Sequence, residues 1–270
     1  MSIVIPIVAV TVIGLICAVM LVVASKFMAV PEDETFVNVR ACLPGANCGA
    51  CGYAGCDGYA HALADGTTQS TNLCVPGADA AAREIAAVLG VEAEDVVEKV
   101  AVVACCGDSS CTTLRYEYDG MSSCAAANLL FSGDGMCTFG CLGYGDCSKV
   151  CPNNAICIED GLARVKPNLC VGCGLCAKAC PNHLIHVVPD TVTTVVRCSN
   201  QDKGAVTRKA CSHGCIGCKK CEKECPAGAV TVVNNCAVID YSKCTNCGHC
   251  AEICTTGCIV EASFLSASKA

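Results

Sequence analysis

The chain has 270 residues, 31 of them cysteine, with six Tyr, five Phe and no Trp. So few large aromatics exclude an ordinary self-sufficient apolar core and point to disulfide or metal staples. A formal net charge of -7 excludes a general nucleic-acid binder, which would carry a basic surface.

In chain order, the first element is "IVIPIVAVTVIGLICAVMLVVA", residues 3–24, without a charged side chain. About 20 apolar residues span a bilayer, and Pro6 sits in the first turns, where its missing N–H does little harm. A cleaved signal peptide would begin with a basic segment, but no Lys or Arg precedes this run. The stretch predicts a retained single transmembrane helix, an anchor over 1–27. Lys26 and Arg40 follow it, so the positive-inside rule puts the rest of the chain on the cytoplasmic side of the cell membrane. The many thiols, which need a reducing compartment, agree with that side. "VPEDETF", 30–36, reads as a short polar linker.

Disulfide scaffolds scatter their cysteines over loops, whereas these come in tight bursts suited to metal ligation. The first unit, assigned to 28–76, holds Cys48, Cys51, Cys56 and Cys74 among glycines that let the backbone wrap closely. A four-Cys iron–sulfur site is predicted there. A structural zinc is the alternative, although paired C-x2-C knuckles are missing. An α/β insert follows over 77–136. Its "ADAAAREIAAVLG" predicts a helix, with Ile85, Val88 and Leu89 on one face and Gly90 as its stop. "VEKVAVVAC" predicts a buried strand. Cys105, Cys106, Cys111 and Cys124 lack compact ligand spacing and read as buried thiols.

The next stretch, "CTFGCLGYGDCSKVCP" (137–152), ends like a cluster motif but is stretched at its start. Regular bursts follow at Cys170, Cys173, Cys176, Cys180, then at Cys215, Cys218, Cys221, Cys225, and at Cys244, Cys247, Cys250, Cys254. A shift of 74 residues lays Cys147, Cys151, Cys170, Cys173, Cys176 and Cys180 on Cys221, Cys225, Cys244, Cys247, Cys250 and Cys254. It also lays Cys124 on Cys198, Cys137 on Cys211 and Cys141 on Cys215, and among the expected ligands fails only where Tyr144 meets Cys218. A duplicated module is the reading, over 137–197 and 198–270. Cys137 is the expected substitute for the missing middle cysteine. Asp160-Gly161 and Asn234-Asn235 sit between short apolar runs and predict equivalent hairpin turns.

Each module resembles a bacterial two-cluster ferredoxin, in which three cysteines of one burst share a cluster with the fourth of the other. The resemblance implies four [4Fe-4S] ligand sets. These are Cys137, Cys141, Cys147 with Cys180; Cys170, Cys173, Cys176 with Cys151; Cys215, Cys218, Cys221 with Cys254; and Cys244, Cys247, Cys250 with Cys225. With Cys48, Cys51, Cys56 and Cys74 this makes about five clusters, using 20 of the 31 cysteines. The expected fold class is α+β: an N-terminal transmembrane helix, a small four-Cys iron–sulfur domain, an α/β insert and two tandem ferredoxin-like 2[4Fe-4S] modules. All-thiolate clusters leave no open iron, and the chain carries neither GxGxxG nor a P-loop. Catalytic residues are therefore not expected.

The apolar span, "LPGANCGACGYAGC", the distal Cys74, the insert and "GCLGYGDCSKVCP" occur in one order. Together they resemble the B subunit of the Rnf complex, a membrane-bound ferredoxin:NAD+ oxidoreductase that translocates ions. The resemblance implies electron transfer from soluble ferredoxin to membrane partners in that complex. A membrane-anchored polyferredoxin serving a hydrogenase or other reductase is the alternative. Between Arg197 and Glu224, seven basic residues face three acidic ones. Such a run could steer an acidic ferredoxin, or form an ordinary solvated face.

Overall fold

The computed structural model describes residues 4–27 and 33–262. Helix α1 spans Val4–Phe27. Its side chains are described for Ile7 and residues 10–24 only. Among the described residues no helix is long and apolar enough to cross a membrane, and the expected span over 3–24 runs past the described side chains. Helix α2, Glu34–Ala41, starts inside the stretch expected to be a linker. Asp33 is the reason: its carboxylate accepts the N–H of Thr35 at 2.9 Å and caps the first turn.

Helix α3 (Cys56–Ala64) packs against α2, and α4 (Ala78–Leu89) packs on α2 and on the turns at 71–77. Val39, Tyr59, Leu63 and Ile85 are buried in their shared core with Cys56 and Cys74. The predicted helix is thus present, ended by Gly90 at φ 69°; Ile85 and Leu89 cover the first cysteine unit, while Val88 is exposed. Strand β1, Lys99–Val103, is buried beyond its first residue, as its run of Val and Ala implies.

From there the duplication is visible in three dimensions. After the short helix α5 (Cys124–Asn128), the first module runs α6 (Asp146–Lys149), β2 (Ile156–Glu159), β3 (Leu162–Val165), α7 (Leu175–Ala179) and β4 (Ile185–Pro189). After β5 (Thr194–Val196) and α8 (Gly204–Ala210), the second runs α9 (Lys220–Lys223), β6 (Val230–Val233), β7 (Cys236–Ile239), α10 (His249–Glu252) and β8 (Ile259–Glu261). The expected hairpins are the pairs β2–β3 and β6–β7. Every positive-φ residue from Gly143 to His183 has a positive-φ counterpart 74 positions later, between Gly217 and Gly257.

Each module's last strand takes an antiparallel partner from the segment ahead of that module, β1 on β4 and β5 on β8. Val100, Val102, Val188, Val192 and Val195 form a buried cluster joining those two sheets. Two glycines with the same φ separate backbone freedom from close packing. A Cβ on Gly143 (φ 75°) would lie 2.6 Å from the Gly161 carbonyl oxygen, whereas one on Gly161 (φ 75°) would meet nothing within 4 Å. Gly161→Ala should therefore destabilise by about 1–2 kcal/mol, the left-handed penalty alone. Gly143→Ala should add a steric loss of about 1–3 kcal/mol. Denaturant midpoints under anaerobic conditions check this; equal shifts would refute the contact.

Candidate metal centres

In the first unit, Cys48, Cys56 and Cys74 are buried and Cys51 half-buried. The loop closes because Gly55, at φ 112°, precedes α3 and Asn47 Oδ1 accepts the Cys56 N–H at 2.8 Å. Burial pushes the Cys74 thiol up; the Gly77 N–H opposes, and Cys56, Cys51 and Cys48 add to the rise. Tyr59 is pushed up to about 12 by burial, and its hydroxyl donates to the Ser70 carbonyl at 2.7 Å. Four cysteines gathered in so dry a place could act as thiolate ligands only with a bound cationic group to balance them.

The first module holds two cysteine-lined cavities. One, of about 350 Å³, is lined by Cys151, Cys170, Cys173 and Cys176, the set expected from the regular burst. Backbone amides aim at its sulfurs: Ala155 N–H to Cys151 at 3.3 Å and Ala101 N–H to Cys170 at 3.4 Å. Burial, followed by the Cys170 and Cys173 thiolates, pushes Cys176 up to about 11.

The other cavity, about 400 Å³, is lined by Cys141, Cys147, Cys180 and Cys124. Cys137 is not in its wall and lines an adjoining cavity instead. Asp146 places Cys124 in this wall. Its Oδ2 accepts from the Ser123 hydroxyl at 2.7 Å and the Ala125 N–H at 2.9 Å, pinning α5 to α6 and setting Cys124 beside Cys147. Burial pushes Cys147 up to about 12, with Cys141, Cys124 and Cys180 adding to the rise. Tyr144, at the vacated ligand position, donates its hydroxyl to Asp134 Oδ2 at 2.6 Å and meets the Tyr118 ring edge-on at 5.5 Å. Spacing does not single out Cys124, which lies 17 residues ahead of Cys141.

In the second module, Cys215, Cys218, Cys221 and Cys254 line a cavity of about 340 Å³ together with the buried thiol Cys258. Burial, then Cys215, Cys218 and Cys254, pushes Cys221 up to about 11. Cys250 is raised by burial and by Cys244, with Cys225 and Cys247 contributing, so the last expected set also stands together. Burial would raise Cys225, but four backbone N–H groups aimed at its sulfur hold it below the ordinary thiol range.

The first unit also touches the first module: Lys178 of α7 donates to the Cys48 carbonyl at 2.7 Å. Cys48 is among the charges acting on Cys173, so these two sites adjoin. Among the described residues no three Cys, His, Asp or Glu side chains form a group that could hold a metal ion. The cysteines instead surround cavities, with amides directed at their sulfurs. That donor chemistry suits a multi-iron cluster, whose sulfurs accept hydrogen bonds.

Residues 43–76 match the family described as "Putative Fe-S cluster", 169–229 a 4Fe-4S dicluster domain, and 237–260 a 4Fe-4S binding domain. The chain is 42% identical over 259 residues to the B subunit of the Na(+)-translocating ferredoxin:NAD(+) oxidoreductase complex of Acetobacterium woodii, covering 96% of this chain and 78% of that protein. The chain belongs to the B-subunit family of these complexes. The proton-translocating family member of Clostridium ljungdahlii is 44% identical, over 92% of this chain and 89% of its own. The ion-translocating family member of Methanosarcina acetivorans is 42% identical over 89% and 91%. Within this member of the B-subunit family, the dicluster match at 169–229 begins at the second burst of one module and ends after the first burst of the next. The cavities group the bursts differently, within each module.

Proposed function

We propose that this chain is the iron–sulfur electron-transfer subunit of a membrane-bound, ion-translocating ferredoxin:NAD+ oxidoreductase. The observation that carries the reading is the set of cysteine-lined cavities grouped within two duplicated modules, with the Cys48 unit joined to the first by Lys178. Five [4Fe-4S] sets follow: Cys48, Cys51, Cys56, Cys74; Cys151, Cys170, Cys173, Cys176; Cys124, Cys141, Cys147, Cys180; Cys215, Cys218, Cys221, Cys254; and Cys225, Cys244, Cys247, Cys250. Bound there, such clusters supply one-electron carriers with no open iron for substrate. The protein's part is to hold them dry, close together and hydrogen-bonded at sulfur.

The uncharged apolar sequence of 3–24, about the length that spans a bilayer, supports a single span. The basic residue Lys26 after it supports a cytoplasmic cysteine-rich region. The four-Cys domain (28–76), insert (77–136) and modules (137–197, 198–270) are the corresponding divisions, and other subunits of the complex are the membrane partners.

Ferredoxin is assigned to the second module. Cys218 is exposed there, and the exposed Lys219, Lys220 and Lys223 follow it in sequence. Arg197, part of the same basic run, turns inward and donates to the Cys105 carbonyl at 3.1 Å. Lys219→Glu with Lys220→Glu should slow reduction by acidic ferredoxin about tenfold at low salt, with the difference vanishing at high salt. Stopped-flow rates over a salt series test this; unchanged rates would remove the docking face.

A further inference from the structure

Outside the five ligand sets, a group of cysteines meets where the two modules join. A cavity there is lined by Cys105, Cys106, Cys137, Cys198 and Cys211, with Arg197, and by Cys141 of the neighbouring set. Cys105 and Cys211 are buried, Cys137 and Cys198 half-buried.

Four of these cysteines are two copies of one pair. Val103 of β1 sits opposite Ile185, and Val196 of β5 opposite Ile259, the residue 74 positions on. Ala104 then donates to the Leu184 carbonyl and Arg197 to the Cys258 carbonyl, each at 2.7 Å. Cys105 and Cys198, one residue further along, therefore occupy equivalent places. Each accepts the N–H two residues ahead, from Gly107 at 3.4 Å and Asn200 at 3.5 Å. Each also faces the N–H of its module's first burst cysteine, Cys141 for Cys105 and Cys215 for Cys198, the latter at 3.2 Å. Cys137 and Cys211 are equivalent by the 74-residue shift, and their sulfurs accept the N–H of Phe139 and His213. Cys137 also accepts from Asn200 Nδ2 at 3.2 Å.

Cys106 and Cys111 behave differently. Their sulfurs act as thiol donors to main-chain carbonyls, of His213 at 3.6 Å and of Cys106 at 3.3 Å. They have no counterparts in the second module. Sulfurs that accept amides suit thiolate ligands; sulfurs that donate suit thiols.

We propose that Cys105, Cys137, Cys198 and Cys211 hold a sixth [4Fe-4S] cluster at the junction, each module contributing the same pair. The proposal rests on the five-cluster reading of the remaining cysteines. Arg197 in the cavity wall supplies positive charge beside the four thiolates. The site stands one N–H···S contact from Cys141 of the first module and one from Cys215 of the second. It turns the sites of two modules into a single row.

The test counts iron and acid-labile sulfide in anaerobically purified full-length chain. Six four-iron clusters give about 24 irons. Cys198→Ser and Cys211→Ser, singly or together, should each lower the count by about four and leave the remaining clusters spectroscopically unchanged. Cys106→Ser and Cys111→Ser should lower it by none. A wild-type count of about 20 with no loss in the double variant overturns the sixth cluster and leaves the five-cluster reading standing. An iron-free chain overturns both. Should the variants fail to fold, Mössbauer quantification of the wild type alone decides between about 24 and about 20.

Discussion

Cys124→Ser should abolish the cluster held by Cys141, Cys147 and Cys180, with a loss of about four irons, whether or not the junction site is filled. Cys137→Ser should leave it intact. The clean comparison uses a background already carrying Cys198→Ser and Cys211→Ser. There, Cys124→Ser should still lose about four irons and Cys137→Ser none. The basis is the cavity wall, which contains Cys124 and excludes Cys137. The same geometry predicts a rescue. Tyr144 is flanked by Gly143 and Gly145, both at positive φ, as Cys218 is flanked by Gly217 and Lys219. Tyr144→Cys added to Cys124→Ser should therefore place a sulfur where the second module places Cys218 and restore the cluster. Loss of iron in Cys137→Ser but not Cys124→Ser within that background would reverse the assignment.

Anaerobic removal of iron should unfold the modules altogether. Their cores contain proposed ligand cysteines beside hydrocarbon: Cys147 and Cys176 sit with Ile156, Leu162 and Leu184, and Cys215, Cys221 and Cys250 with Val230 and Ile239. The strands available to hold the remainder are two to a sheet, and isolated two-stranded ribbons are marginal in water. Metal binding to such sites is folding free energy, about 10–16 kcal/mol for a single structural zinc. Chelated chain should lose its cooperative unfolding transition and near-ultraviolet dichroism. The helical core of Val39, Tyr59 and Ile85 also contains Cys56 and Cys74, so it should loosen in step. A metal-free chain with an unchanged unfolding transition would show that hydrocarbon packing alone holds the fold.

Where local chemistry dominates, the sequence was a sufficient guide. Gly90 stops α4, Val and Ala runs make β1, and Asp160-Gly161 and Asn234-Asn235 turn the hairpins. The 74-residue period carried the module order into space, down to residues such as His183 and Gly257 that share positive φ. Asp33 is a capping signal inside "VPEDETF", masked because the stretch is polar at both ends of the cap. Cys124 was illegible for another reason: its approach depends on Asp146 bridging two helices distant in sequence. The period even misled at one point. It laid Cys124 on Cys198, but strand pairing makes Cys105 the partner of Cys198. Cys137 lies 32 positions after Cys105, whereas Cys211 lies 13 positions after Cys198, and an insertion hides spatial equivalence from any fixed shift.

The most direct measurement mixes the anaerobic full-length chain with reduced ferredoxin and follows cluster bleaching and the growth of reduced-cluster EPR signals. The account predicts a brown protein that takes up about one electron per cluster, five or six in all, with magnetically interacting signals from neighbouring sites. A colourless, zinc-bearing chain, or a coloured one that ferredoxin does not reduce, would contradict it.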